Sequence, residues 1–179
     1  IWVFTEKPLL LNKTSAPKIL SKVGNKGVCV GLMKRCDAGV IRAKHMLERE
    51  GARLGPLKSV SAACHAGDSY FGIGGDIKSK HDRPVVSALE EFPAGLPSEL
   101  HYDYEQFLNV YSHTLNLSEY LSGGHVALDS GATDQDGAGQ FVGRMGSLPF
   151  ALTVSRGKSH PWTESVELRF KKATMTVRL

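Results

Sequence analysis

The last third of the chain consists of short strand-like runs separated by turn residues, and this pattern limits the possible folds more than any other feature. The runs cover residues 126–129, 141–145, 151–155 and 166–170. Val166, Leu168 and Phe170 alternate with charged residues, and a similar alternation runs from Met175 to the last residue. Each strand therefore has one apolar face and one face for water, so we predict an antiparallel sheet.

Three helices are predicted before this sheet. They run over residues 15–23, from Asp37 to Gly51 and from Asp103 to Gly123. Asp37 and Asp103 are the predicted N-caps, and Gln106 occupies the capping-box position three residues after Asp103. The apolar face of the second helix is predicted to contain Val40, Ala43, Met46 and Leu47.

Strands predicted at 1–5, 28–33 and 55–68 complete the order of elements. Because helices and strands are segregated along the chain, we predict an α+β fold, a mostly antiparallel open sheet with helices on one face.

The apolar residues 1–4 predict a buried strand with neighbours on both sides, so the chain is expected to begin inside a larger domain. Residues 69–100 lack periodicity and predict a long loop, either functional or disordered.

Composition excludes several classes of protein. With 179 residues, 41% of them hydrophobic and 22% charged, the chain is globular and neither disordered nor a coiled coil. The net charge of +4 is spread evenly, so nucleic acid is not an expected partner, and no apolar run is long enough for a membrane span. Cys29, Cys36 and Cys64 match neither a disulfide framework nor a metal site, so we interpret them as core residues of a cytoplasmic protein.

Asn109 and His113 form the most informative polar pair in the sequence. They lie four residues apart, and so on one face of the apolar third helix. One interpretation is a buried histidine whose hydrogen bonds are satisfied by its neighbour. The other is an acid/base histidine oriented by the amide, since histidine titrates near neutral pH. The spacing alone leaves both open.

Lys7, His65 and Asp68 are further candidates for a functional site. Lys7 is either a solvated loop lysine or a cation placed beside a cofactor by the rigid turn at Pro8. His65 and Asp68 lie at the end of a predicted strand and could bind a polar ligand. A metal site would need a third ligand, so no metal is expected.

Two segments of the long loop resemble ligand-binding motifs without matching them. Residues 72–76 are rich in glycine, but Ile77 occupies the position of the third glycine of a dinucleotide fingerprint. The charged cluster at 78–83 contains no aromatic residue for stacking nucleic-acid bases, so we interpret it as a solvated loop.

Several motifs occur in a characteristic order along the chain. They are Glu6-Lys7-Pro8 after a strand, Met33-Lys34-Arg35-Cys36-Asp37 after the next strand, Asn109-Val110-Tyr111-Ser112-His113 in the third helix, and Tyr120-Leu121-Ser122-Gly123 at its end. This ordered set resembles the glucose-fructose oxidoreductase and inositol dehydrogenase family of NAD(P)-dependent enzymes. The resemblance covers nearly the whole chain and implies the carboxy-terminal part of such an enzyme.

The resemblance implies a role for each motif residue. Glu6, Lys7 and Pro8 would contact the cofactor, with Lys7 against the nicotinamide and the substrate, and His113 would be the acid/base for a substrate hydroxyl. Many dehydrogenases of the family have aspartate at the position that Asn109 occupies here. The amide of Asn109 can orient His113 but cannot relay a proton. The remaining implied contacts are Arg35 to the cofactor, and Lys34, His65 and Asp68 to the substrate.

The family's amino-terminal Rossmann half, with its glycine-rich turn, has no counterpart in these residues. The resemblance therefore implies that residues 1–34 are the last strand-helix-strand of a truncated Rossmann domain. Residues 35–179 would form a substrate-binding and oligomerisation domain. We expect NAD or NADP to be bound mainly outside this chain, and the chain alone to be inactive.

The expected function is that of an NAD(P)-dependent oxidoreductase acting on a polyol, sugar or related hydroxyl compound. The alternative is a non-catalytic relative that senses a dinucleotide or a sugar, with Asn109 marking the lost chemistry. Either protein could form a homo-oligomer through the broad face of the sheet.

Overall fold

The structure, a computed structural model, describes residues 2–24, 27–67, 92–134, 137–157 and 161–179. These residues divide into two compact units. The first contains the described residues of 1–31 and 73–109, and the second contains those of 32–72 and 110–179.

The first unit begins with a strand, a helix and a parallel strand, as predicted. The elements are β1 (Val3–Thr5), α1 (Ala16–Val23) and β2 (Val28–Val30). Phe4 pairs with Cys29 at the centre of the two strands. Helix α1 follows a 3-10 turn at Lys13–Ser15 and ends at Gly24, whose φ of 56° is readily adopted only by glycine. A local sequence signal, the glycine, therefore sets the end of this helix.

Among the described residues, the first strand lacks the neighbours on both sides that its predicted burial requires, so that burial stays a prediction. In these residues β1 pairs only with β2, and Trp2 and Phe4 are 81% and 69% exposed. A two-stranded sheet has too few neighbours to cover its apolar faces.

The interpretation of the cysteines as core residues fails for Cys29 and Cys36, which are exposed, and holds for Cys64, which is buried.

The second unit contains a six-stranded sheet that confirms the predicted α+β fold. Its strands lie in the order β4-β5-β6-β3-β7-β8, and every neighbouring pair is antiparallel except β3 and β6. The strands are β3 (Leu57–Gly67), β4 (Val126–Thr133), β5 (Gly139–Met145), β6 (Leu148–Gly157), β7 (Thr163–Phe170) and β8 (Thr174–Arg178). The alternating residues of the last third thus form the sheet that the sequence predicts.

The core of this unit lies on one face of the sheet, in rows that cross β6, β3 and β7. Val60 pairs with Phe150 and Leu168, and Ala62 pairs with Leu152 and Val166. All of them are buried. Successive residues of a strand point to opposite faces, so alternate residues of each strand contribute to this core.

The next row continues this pattern, with Cys64 between Val154 and Glu164. Glu164 is 2% exposed, so the apolar face of the sheet contains a buried carboxyl group.

Helix α2 (Ala38–Leu54) begins where predicted and ends one turn later. Asp37 caps it by accepting a hydrogen bond from the Gly39 amide at 2.8 Å. Gly51 is accommodated inside the helix, at a cost of about 1 kcal/mol relative to alanine. The helix ends instead before Gly55, whose φ is 78°. Val40 and Ala43 are buried as predicted, whereas Met46 is 47% exposed.

Helix α3 (His101–Ser122) is the longest helix among the described residues and begins before its predicted cap. The 3-10 turn Ser98–Leu100 leads directly into it, so the chain is already helical at Asp103 and this residue lies in the first turn. A negative charge in the first turn still stabilises the helix, because it lies near the positive end of the helix dipole. The predicted end is confirmed, because Gly123 follows with a φ of 75° and its amide donates to the Glu119 carbonyl at 2.8 Å.

Candidate functional site

In the first unit, the structure brings together Lys7 and Asn109. Lys7 follows β1, and its Nζ donates a hydrogen bond to the Asn109 Oδ1 at 2.6 Å and another to the backbone carbonyl of Asn109. Burial lowers the pKa of Lys7, and the nearby Glu6 carboxylate opposes this effect. Lys7 is therefore held in one place by a partner without charge. Pro8, the third residue of the motif, follows it through a cis peptide bond.

His113 is a buried histidine on helix α3. Its exposed fraction is 7%, and Tyr111 and Thr114 beside it are 6% and 0% exposed. Burial raises the pKa of the Tyr111 hydroxyl, and the charge of Arg156 opposes that rise. Asn109 and His113 are four residues apart on the same helix, so they share a face as the sequence predicts.

Lys34 lies in the 3-10 turn Met33–Cys36 and forms an ion pair with Glu164. The Lys34 side chain is 15% exposed and that of Glu164 is 0% exposed. Trp162 covers the lysine, with the Lys34 Nζ 5.2 Å from the centre of the indole ring. The Trp162 Nε1 donates to the Glu164 Oε1 at 2.6 Å, and the Thr114 hydroxyl donates to Oε2 at 3.0 Å.

Arg35 contacts the carboxy-terminal half of α3. Its Nε donates to the Asn116 Oδ1 at 2.7 Å, and its guanidinium lies 4.9 Å from the centre of the Tyr120 ring. Lys44 of α2 contacts the same ring and donates to the Tyr120 carbonyl at 2.9 Å. The two consecutive basic residues Lys34 and Arg35 therefore have different partners.

His65 lies on β3, where its Nδ1 is 2.6 Å from the Ser155 hydroxyl of the adjacent strand. The pair is partly buried. Asp68, the glycine-rich residues 72–76 and the basic cluster 78–83 lie outside the described residues.

Glu164 is the site residue that the sequence analysis missed. The signal is its spacing, since it precedes Val166 and Leu168 by two and four residues and so shares their buried face. A carboxylate on the apolar face of a predicted strand needs a buried cation or donor, and this requirement alone could have identified it.

Among the described residues, no three His, Cys, Asp or Glu side chains form a group that could hold a metal ion. In the same part of the chain, no helix has the length and apolar composition of a membrane span.

Comparisons with known proteins gave structural matches only. No protein-family model matches the chain, and no curated protein matches it. A solved structure of scyllo-inositol dehydrogenase from Lactobacillus casei with bound NAD(H) and scyllo-inositol is similar, with a TM-score of 0.66 and 12% identity over 98% of this chain and 49% of that one. A myo-inositol dehydrogenase from the same organism, in complex with NAD(H) and myo-inositol, has a TM-score of 0.65 and 14% identity over 98% and 47%.

A probable dehydrogenase from Thermotoga maritima is also similar, with a TM-score of 0.67 and 18% identity over 98% of this chain and 49% of that one. The resemblance to inositol dehydrogenases is thus confirmed at the level of the fold. The chain spans about half the length of these structures.

Proposed function

We propose that this chain is the carboxy-terminal half of an NAD(P)-dependent oxidoreductase that acts on a polyol, sugar or related hydroxyl compound. One observation carries the proposal. The Lys7 ammonium is held by Asn109, on the helix that also carries the buried His113 one turn later. The fold is that of structures solved with NAD(H) and inositols.

In this proposal His113 accepts the proton of the substrate hydroxyl during oxidation and returns it during reduction. Lys7 contributes positive charge beside the oxygen of the substrate, which stabilises the negative charge that develops there. Asn109 keeps Lys7 in place and shares the helix face of His113. When bound, NAD(P) would supply the hydride chemistry.

The donor set of these residues fits a dinucleotide in one respect. The Lys7 Nζ donates to the neutral amide of Asn109, so this hydrogen bond leaves the charge of its ammonium available to a cofactor and substrate. Glu6, Lys7, Pro8 and Arg35 would contact the cofactor. Lys34, His65 and Asp68 would contact the substrate or shape its site.

We further propose that residues 1–34 belong to the dinucleotide-binding domain and residues 35–179 to a substrate-binding and oligomerisation domain. A cytoplasmic location is part of the same proposal. Titrating NAD and NADP against the intact protein and against residues 34–179, which keep the Lys34 partner of Glu164, tests the division. Only the intact protein should bind the dinucleotide, and binding by residues 34–179 alone would contradict it.

The activity is tested by assaying the intact protein with NAD or NADP and a panel of polyols and sugars. His113→Ala should reduce turnover by a factor of about 100 to 10,000, the usual contribution of an acid/base group. His125→Ala is the control, because the His125 side chain is 96% exposed. Full activity of the His113 variant would refute the role of His113.

Asn109 favours a second candidate, a non-catalytic protein that senses a dinucleotide or a sugar. An amide at this position cannot share a proton with His113 as a carboxylate could. The same panel separates the two candidates. Binding of dinucleotide without oxidation of any compound would identify the sensor, and oxidation of one compound would exclude it.

We also propose that the sheet face opposite the core forms a homo-oligomer. Val142 on β5 belongs to this face and is 46% exposed, and Ser61 on the central strand β3 is exposed as well. Light scattering tests the proposal with Val142→Asp, which should lower the molar mass to that of a monomer. Ile41→Asp on α2 is the matched control, since Ile41 is 41% exposed. An unchanged mass for Val142→Asp would contradict this interface.

A further inference from the structure

Glu164 is a carboxylate in a position where a charge is costly. Its side chain is fully buried on the core face of the sheet. Removing a carboxylate from water costs several kcal/mol unless a cation and further donors compensate it. Replacing such a pair by apolar residues of similar volume is often neutral for stability. Stability alone therefore does not explain why this position holds a charged residue.

The partners of Glu164 come from three separate parts of the second unit. Lys34 lies in the turn before α2, Thr114 lies on α3, and Trp162 lies just before β7. Oε1 accepts from Lys34 and Trp162, while Oε2 accepts from Thr114. One side chain thus joins a turn, a helix and a strand through directional contacts.

Thr114 connects this cluster to His113, because the two residues are consecutive on α3. Successive helix residues point about 100° apart. When the Thr114 hydroxyl is tied to the sheet at Glu164, the rotation of α3 about its axis is set at this point. The direction of the His113 side chain is set with it.

We propose that Glu164 is a positioning residue for His113, which it orients through Thr114 while Lys34 and Trp162 hold the carboxylate in place. Only the expected effect of Glu164 on turnover rests on the proposed acid/base function of His113. The structural part of the inference, the orientation of the imidazole by Glu164, stands independently.

The test uses the intact protein and the variants Glu164→Gln, Thr114→Val and Thr114→Ser. Glu50→Gln is the matched control, because it removes a carboxylate that pairs with Arg53 at 2.9 Å on the exposed surface of α2. The first readout is the NMR signal of the His113 ring, assigned by its absence in His113→Ala. The second is the pair of constants kcat and KM.

Thr114→Val should shift the His113 signal and lower kcat with little change in KM, whereas Thr114→Ser should restore both because it keeps the hydroxyl. Glu164→Gln should shift the signal in the same way, and Glu50→Gln should leave it unchanged. If Glu164→Gln does not fold, the Thr114 pair decides the matter, because neither variant changes a charge.

An unchanged His113 signal in Thr114→Val overturns the inference, whatever happens to turnover. A reduced kcat that Thr114→Ser does not restore also overturns it, because the effect would then be general loss of structure. If the signal shifts and recovers as expected but His113→Ala retains full turnover, the positioning role stands and the proposed function fails. The two hypotheses can therefore be separated.

Discussion

Two lysines of the chain are held in opposite ways. Lys7 in the first unit donates to Asn109, an exposed and neutral partner. Lys34 in the second unit pairs with the fully buried carboxylate of Glu164 beneath the ring of Trp162. An amide is sufficient to orient a lysine that water still reaches, whereas a buried ammonium needs a countercharge. The Lys7 contact should thus affect chemistry more than folding, and the Lys34 contact should affect both.

The largest expected effect on stability comes from breaking the buried pair. Glu164→Gln should lower the free energy of unfolding by about 3 kcal/mol, because it leaves the Lys34 ammonium without its countercharge. Urea denaturation measures this change. Lys34→Met combined with Glu164→Gln should recover most of the loss, because no buried ammonium is then left without its countercharge. If the double variant is no more stable than the single one, the ion pair is not the cause.

Removing one hydrogen bond to the same carboxylate should have an intermediate effect. Thr114→Val keeps the shape of the side chain but loses the donor to Glu164 Oε2, so we expect a loss of about 1.5 kcal/mol. The same denaturation experiment measures it. A loss as large as that of Glu164→Gln would mean that the contact of Thr114 with Cys64 contributes as much as the one with Glu164.

Cys64 should make the second unit sensitive to alkaline pH. Burial raises the pKa of Cys64 above its ordinary value of 9.0, although Thr114 and the charge of Lys34 oppose the rise. The folded state then retains this proton longer than the unfolded state, so stability present below pH 9.0 is lost as the pH rises through the folded pKa.

Denaturation at about pH 8 and about pH 10 should show a smaller alkaline loss in Cys64→Val than in the wild type. The effect should be smaller than that of Thr114→Val. An equal loss in both proteins would mean that other groups cause the alkaline sensitivity.

The smallest effect on stability is expected at Lys7. Asn109→Asp should change the free energy of unfolding by less than about 0.5 kcal/mol, because the position is exposed. The new carboxylate should nevertheless raise the pKa of Lys7, which an NMR titration of its side chain measures.

The sign of the accompanying pH dependence is fixed by the lowered pKa of Lys7. The folded state releases this proton before the unfolded state does, so stability should rise as the pH passes through the folded pKa of Lys7. Asn109→Asp should remove that rise. If the rise is the same in the variant and the wild type, groups other than Lys7 are its source.

Much of the fold was predictable because its signals are local. The alternation of Val166, Leu168 and Phe170 predicted β7, and Asp37 and Gly123 predicted a helix start and a helix end. The errors arose where a local signal was ambiguous. Gly51 can end a helix or be tolerated inside one. The structure shows that the helix continues for three more residues, as far as Leu54.

The candidate site was predicted only in part. The spacing of Asn109 and His113 placed them on one helix face, and the family resemblance selected Lys7 and Lys34. The sequence analysis did not pair Lys34 with Glu164, because 130 residues separate them in the chain. Neither residue identifies its partner, since many acidic side chains could balance one lysine.

The sequence by itself determined where the strands and most helix ends lie and which residues form the apolar rows of the sheet, because these follow from periodicity and capping over a few residues. Only the tertiary structure decided that β3 lies between β6 and β7, and this arrangement places Glu164 beside Cys64. Strand order and the pairing of distant charges depend on closing long loops and excluding water, and no short segment of the chain encodes either of these.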